Sequence, residues 1–360
     1  MNTRYRMPSI TRLGGALVAL GACAVLAACG GSSSSTSASA SSGAGGDPAS
    51  TAAASSSSSS GEPTFVVGHQ ESGIVSLSQD IKAFQGAPYH VEFAYFPYGP
   101  PEVAAAAAGK IDLADLGDVP PITGASHDLP FKLVAAEVPP TYQQASDYIV
   151  VPKGSPVTSI AGLKGKSIAV PFGSSANGYA LDAIEAAGLT PSTVKLVNLA
   201  PAAAQTAFQS GSVDALALWN TQVTVDTENG ARIIGYGRPP LDPDVGFYIA
   251  SINDLNSTDP TRKADLLNLL ERLGAAYQWG DAHPNAWISG IEHETGVDAK
   301  TAKITVDNGF EQVRFITPQI VKNVQVLANT FYSSRQIAKP IQISDYVDNL
   351  LPQSYSGQLP

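Results

Sequence analysis

The sequence predicts an α/β fold in which two lobes of similar build are joined by two hinge crossings, with a helical C-terminal region packed on lobe one. Three observations carry this. From Glu62 onward, strand and helix signals alternate. A unit of strand, polar loop and helix appears twice, about a hundred residues apart. The features that follow it also recur in matching order, which a chance likeness of one segment would not produce.

The chain has 360 residues, enough for two domains of ordinary size. Its first part belongs to neither. Arg4, Arg6 and Arg12 give a positive start, and Leu13 to Ala28 is a run of small and apolar residues too short for a membrane span. Residues 1–28 are therefore read as a signal peptide. They end in Leu26-Ala27-Ala28-Cys29, which resembles the bacterial lipoprotein cleavage box. That resemblance implies that Cys29 is lipidated, palmitate included, and becomes the first residue of the mature chain. Residues 29–61 are nearly all Ser, Ala, Gly and Thr after the cysteine, a composition that buries too little surface to offset its ordering entropy. They form a flexible tether.

The first lobe starts with the strand Thr64 to Gly68 and the loop His69-Gln70-Glu71-Ser72-Gly73, followed by a helix with Ile74, Leu77, Ile81 and Phe84 on one side. Its counterpart in the second lobe is Ser167 to Pro171, the loop Gly173-Ser174-Ser175-Ala176-Asn177, and a helix with Ala176, Tyr179, Ala180, Ile184 and Ala187 on one face, stopped at Gly188. Next come the strands His90 to Phe96 and Val194 to Leu199, each followed by proline and an Ala-rich helix ending at Gly109 or Gly211. Third strands contain Asp112 and Asp214 at the same place, where capping or turn roles are expected. They end in Gly117-Asp118 and Trp219-Asn220. Fourth strands, Phe131 to Ala135 and Arg232 to Gly235, precede Pro139-Pro140 and Pro239-Pro240. The extended segments 147–152 and 246–251 are read as the two crossings. The expected organisation is lobe one at 62–147 plus 249–360 and lobe two at 148–248.

The C-terminal part reads as helical. Leu266, Leu269, Leu270 and Leu273 share one face, and Ile320, Val324 and Leu327 share another, after Pro318 at a helix start. Trp279, Trp287 and Phe315 are expected to be packing aromatics.

Composition excludes several functions. The formal charge is −10, and −13 once Arg4, Arg6 and Arg12 of the leader are removed, which argues against nucleic acid as partner. Cys23 and Cys29 are the only cysteines, so the folded part holds no disulfide, thiolate metal site or cysteine nucleophile. His69, His90, His127, His283 and His293 show no metal-ligand spacing, and no GxSxG, Walker or GxGxxG motif occurs in the required context. No cofactor, no metal and no enzymatic activity are expected.

What remains is a set of residues at matching strand ends that would face an interlobe cleft: His69, Gln70, Ser72, Tyr98, Gly117, Asp118, Tyr148, Ser174, Ser175, Asn177, Trp219 and Asn220. Ligands in open α/β sheets bind outside such strand ends. Ser174 and Ser175 stand at a helix start, where unpaired N–H groups and positive partial charge can hold an oxyanion without Lys or Arg. Gln, Ser and Asn supply neutral hydrogen bonds, and Tyr and Trp supply apolar walls. Each residue alone reads equally well as a turn former or cap; as a set they favour a small ligand with an oxyanion head and an organic tail.

At these residues the chain is similar to the substrate-binding lipoproteins of ABC importers for aliphatic sulfonates, taurine and nitrate. The resemblance is carried by Val67-Gly68-His69-Gln70, Tyr98-Gly99-Pro100-Pro101-Glu102, Leu116 to Pro121, Ile149 to Lys153, Leu163 to Lys166, Gly173 to Ala176 and Ala217 to Asn220. Ala282-His283-Pro284 and Phe315 to Pro318 extend it, and it covers about residues 64–345. Gly117-Asp118-x-Pro120-Pro121 and Gly173-Ser174-Ser175-Ala176 point to the alkanesulfonate branch. The resemblance implies a type II periplasmic-binding-protein fold, a monomer that binds a small anionic or zwitterionic organic ligand and delivers it to an ABC permease. It implies placement outside the cytoplasm, anchored to the membrane through Cys29. The sulfonate would sit at Ser174-Ser175, with Gln70, Gly117-Asp118 and Trp219 nearby. Three positions depart from the family pattern: His69 stands in place of an aromatic, Glu71 in place of a lysine and Asn220 in place of an aspartate. Alternatives on the same fold are a nitrate-like anion, an aromatic sulfonate or a thiamine precursor as ligand, or a ligand sensor. Desulfinases and thiamine-precursor synthases resemble this family too, but both depend on cysteines that the folded part lacks.

Overall fold

The computed structural model describes residues 62–70, 72–138, 145–239, 242–243, 245–307 and 312–356. The expected signal peptide, Cys29 and tether lie outside the described residues, as do Glu71, Pro139, Pro140 and Pro240.

The first half runs β1 (Thr64–His69), α1 (Ile74–Asp80), β2 (His90–Tyr95), α2 (Gly99–Ala107), β3 (Leu113–Gly117), α3 (Val119–Ser126) and β4 (Phe131–Val138). The second runs β5 (Asp147–Val151), β6 (Ser167–Val170), α4 (Ser175–Ala186), β7 (Lys195–Asn198), α5 (Pro201–Gln209), β8 (Ala215–Trp219), α6 (Asn220–Glu228) and β9 (Arg232–Tyr236). Then follow β10 (Gly246–Ser251), α7 (Ile252–Leu255), α8 (Arg262–Ala282), α9 (Pro284–Thr295), α10 (Ala299–Asp307), β11 (Gln312–Arg314) and α11 (Pro318–Ser333).

Two sheets result, in the orders β11-β4-β10-β3-β1-β2 and β7-β6-β8-β5-β9. Each has three parallel strands, one antiparallel strand, and then the fourth strand of its half. This bears out the α/β, two-lobed fold class, with one correction. Segments 147–152 and 246–251, read as the crossings, form strands β5 and β10, and each lies in the sheet to which the preceding strand of the chain does not belong. β5 follows β4 in the chain yet lies between β8 and β9, and β10 follows β9 yet lies between β3 and β4. Their composition explains it. β10 is buried at every residue and Ile149, Val150 and Val151 of β5 are fully buried, as strands with two covered faces must be. Both break register once, at Tyr248/Ile249 and at Ile149/Val150.

Asp112 and Asp214 play one role in both halves. Asp112 Oδ2 accepts the Val66 N–H at 2.6 Å, and Asp214 Oδ2 accepts the Ser167 N–H at 2.9 Å, so the starts of β3 and β8 are tied to β1 and β6 respectively.

Leu266, Leu269, Leu270 and Leu273 of α8 are fully buried among Phe65, Leu77 and Tyr248 on one face of the six-stranded sheet. Burial of each leucine stabilises the fold by about 1.5–3 kcal/mol. On the opposite face Val324 and Leu327 of α11 pack with Val119 and Ile122. Thr317 caps α11, accepting the Ile320 N–H, and Pro318 stands in its first turn. The C-terminal helices also reach the second sheet's helices: Leu181 of α4 joins the α11 cluster, and Lys300 of α10 pairs with Glu228 of α6. Trp287 is buried, Trp279 stacks on His283 at 4.1 Å, and Phe315 is half-buried. α1 is shorter than its apolar spacing suggests. It ends at Asp80, and Ile81 and Phe84 reach the core from a turn in which Lys82 has φ +51°.

Candidate functional site

The start of α4 forms because Ser174 supplies what the helix lacks. Its Oγ accepts the Asn177 N–H at 3.3 Å and donates to the Pro171 carbonyl at 2.7 Å. Asn177 closes the turn from within, its Oδ1 accepting the Gly173 N–H at 3.1 Å. Gly173 has φ +78°, a conformation that favours glycine. Both polar side chains are almost wholly buried, so they act as caps and hold the loop rigid. The leading N–H groups of Ser175 and Ala176 have no carbonyl one turn behind them, and they point out along the helix axis with its positive end.

That helix start meets the other sheet. A Cβ at Gly117, the last residue of β3, would lie 3.4 Å from the Ser175 Cβ. Ser175 Oγ donates to Asp147 Oδ1 at 3.4 Å, and Asp147, opposite Trp219 in the β5–β8 pairing, is 1% exposed. Gly117, Ser175, Asp147 and Trp219 thus form one run of contacts. Asp118 follows Gly117 and is buried at the start of α3. Trp219 is half-buried at the end of β8, and Asn220 opens α6 with its Oδ1 accepting from Thr221 Oγ1 at 3.2 Å. Tyr148 uses its hydroxyl on the Ala145 carbonyl, 2.6 Å, and its ring stands edge-on to Tyr236 at 5.9 Å.

A second run lies at the end of β1. His69 is buried, edge-on to Phe93 and Tyr95, with Nδ1 2.9 Å from the Gln70 carbonyl. Burial lowers its pKa, against the hydrogen bond and the charge of Asp115, which raise it. Gln70 Nε2 donates to Glu102 Oε2 and to the Asp115 carbonyl, both at 3.2 Å. Glu102 is fully buried, and burial, reinforced by Asp115, holds its carboxyl well above the usual range. The Ser72 carbonyl accepts the Trp287 Nε1–H at 2.9 Å. Tyr98 is half-buried in extended backbone just before α2. Asp115, two residues before Gly117 on β3, links this run to the first.

Sequence reasoning did not single out Glu102, Asp115 or Asp147 as neighbours of the site. Glu102 stands within a segment that carried the family resemblance, but its burial has no local signature. Among the described residues no cluster of His, Cys, Asp and Glu could hold a metal ion, and no helix is long and apolar enough to cross a membrane.

With this geometry in view, residues 97–234 match the NMT1/THI5 like family. The fold is similar to that of the alkanesulfonate-binding protein SsuA of Xanthomonas axonopodis pv. citri bound to MOPS: 26% identity, 80% of this chain and 99% of that one, TM-score 0.72. It is similar to the periplasmic aliphatic sulphonate binding protein SsuA of Escherichia coli: 25% identity, 84% of this chain and 97% of that one, TM-score 0.69. The taurine-binding periplasmic protein of Escherichia coli (strain K12) is 31% identical over 160 residues, 42% of this chain and 48% of that protein. These matches bear out the family resemblance and the periplasmic-binding-protein fold. The same fold also carries chemistry: the desulfurization enzyme DSZB aligns with TM-score 0.57 at 14% identity.

Proposed function

We propose that this chain, a relative of the periplasmic sulfonate-binding proteins, is an extracytoplasmic solute-binding protein that takes up an organosulfonate between its lobes and passes it to an ABC permease. In this reading lobe one is 62–147 plus 249–360 and lobe two is 148–248. The observation that carries the proposal is the start of α4, capped from within by Ser174 and Asn177 and facing Gly117 of the other sheet. Its leading N–H groups suit the oxygens of a sulfonate, and no lysine or arginine is needed. Trp219 and Tyr148 would wall the organic tail, with Gln70, Asp118 and Asn220 at the edge of the site. The protein binds without chemistry and works as a monomer.

A thermal-shift panel of short alkanesulfonates, taurine, aromatic sulfonates, nitrate, sulfate and a thiamine precursor tests this. A ligand at a hundred times its Kd stabilises a one-site protein by about 2.7 kcal/mol. A shift confined to organosulfonates is expected; a shift with nitrate or the thiamine precursor alone, or none at all, overturns the sulfonate assignment.

The Leu26-Ala27-Ala28-Cys29 segment supports lipidation of Cys29 as the membrane anchor. Cys29→Ser is expected to move the protein from the membrane fraction to the soluble one, and continued membrane retention contradicts the anchor.

A further inference from the structure

A pocket of about 310 Å³ lies on a seam between elements of the two sheets. Pro100 of α2 and Thr123 of α3 form one side, Phe172, Gly173 and Asn177 of the β6–α4 turn form the other, and Phe331 of α11 closes it. The two sides are in contact at its edge, where a Cβ at Gly173 would stand 3.3 Å from both Pro100 Cγ and Thr123 Oγ1. Apart from Asn177, none of the lining residues belongs to the sulfonate site proposed above.

Two features define what the pocket would take. Its lining holds no Lys, Arg, Asp or Glu, and apart from His127, whose Nδ1 lies 2.8 Å from the Thr123 carbonyl, it offers a charged guest no partner for the hydration it would lose. Asn177, 1% exposed, spends its Oδ1 on Gly173, while its Nδ2 has no acceptor among the described residues. A buried amide N–H without a partner costs about 1–3 kcal/mol, which a ligand carbonyl would recover. The volume stands at the small end of ligand pockets, roughly 300–1,000 Å³.

We propose that this seam pocket is a second ligand site, for a small neutral molecule with an apolar body and one carbonyl acceptor directed at Asn177. Because its walls come from both sheets, a guest there binds one relative placement of the lobes better than another. It therefore changes sulfonate affinity, and the sulfonate changes the affinity of the guest by the same factor.

The test uses 4-fluoroacetophenone and its ¹⁹F line width with the protein, first without any sulfonate, so that it stands apart from the importer reading. Broadening is expected with the native chain. It should be lost in Leu129→Trp and in Gln336→Trp, two substitutions that fill the pocket from different walls, while both variants stay folded and still bind ethanesulfonate. Saturating ethanesulfonate should shift the affinity of the ketone without displacing it. No broadening with the native chain, broadening that survives both filling variants, or simple competition between ketone and sulfonate would overturn the proposal.

Discussion

The two halves begin alike, with a strand, a polar loop and a helix, yet the two helix starts are used in opposite ways. α4 has twelve residues and a serine cap, and its first residue, Ser175, lies against Gly117 of the other sheet. α1 has seven residues, opens at Gly73 with φ +76°, and has no side-chain cap of its own. Its open donors are met from a distance: Glu294 Oε1 of α9 accepts the Ser76 N–H at 2.7 Å. α9 presses on the same turn, where a Cβ at Gly73 would lie 3.0 Å from Trp287 and Ile291. Every helix start offers donors to an anion. What would separate a structural start from a ligand site is whether the fold already supplies the acceptor, and among the described residues Glu294 supplies one at α1.

The sharpest way to break this contrast is to empty α1. Glu294→Ala leaves a part-buried N–H without its acceptor and is expected to cost about 1 kcal/mol or more, read from urea unfolding. Glu294→Gln keeps an oxygen for Ser76 and should cost far less. Burial raises the pKa of Glu294 against the pull of the Ser76 and Gly73 backbone and of His293. A raised carboxyl contributes stability that is full below its unfolded pKa and is lost as pH rises through its folded pKa. The Tm of Glu294→Gln should therefore gain on that of the native chain between pH 5 and pH 8; a gap that narrows instead would contradict the burial argument.

A smaller effect is expected at α4. Ser174→Ala removes the cap and should cost about 1 kcal/mol. A loss near zero would mean that Asn177 alone holds the turn.

Much of this was legible in the sequence. The repeat, the strand–loop–helix units, the break at Gly188 and the matching of Asp112 with Asp214 all follow from periodicity and local turn chemistry. That β5 and β10 are inner strands of the sheets rather than crossings was not, because an apolar extended run looks the same whether it joins a sheet or links two. Nor was the role of Ser174. A serine at a helix start reads equally as cap or ligand group, and only the positions of Pro171 and Asn177 show that its hydroxyl is already committed. Glu294 lies 218 residues from the helix start it fills, and no local pattern marks such a pair. The buried Glu102 was hidden for the same reason: its neighbours Gln70 and Asp115 come from other strands.

The central claim is that the backbone N–H groups leading α4 hold the ligand's oxyanion. Ser175→Pro tests it most directly, because proline is tolerated at the first helical position and Ser174 before it is already extended, φ −95° and ψ 166°. The substitution removes one N–H and leaves the helix, with Ser175→Ala controlling for the hydroxyl. Isothermal titration with ethanesulfonate should show an affinity loss of about tenfold or more in Ser175→Pro, since a hydrogen bond to a charged group contributes about 1.5–3 kcal/mol. Ser175→Ala should lose much less. A folded Ser175→Pro protein that binds the sulfonate as tightly as the native chain would contradict the claim.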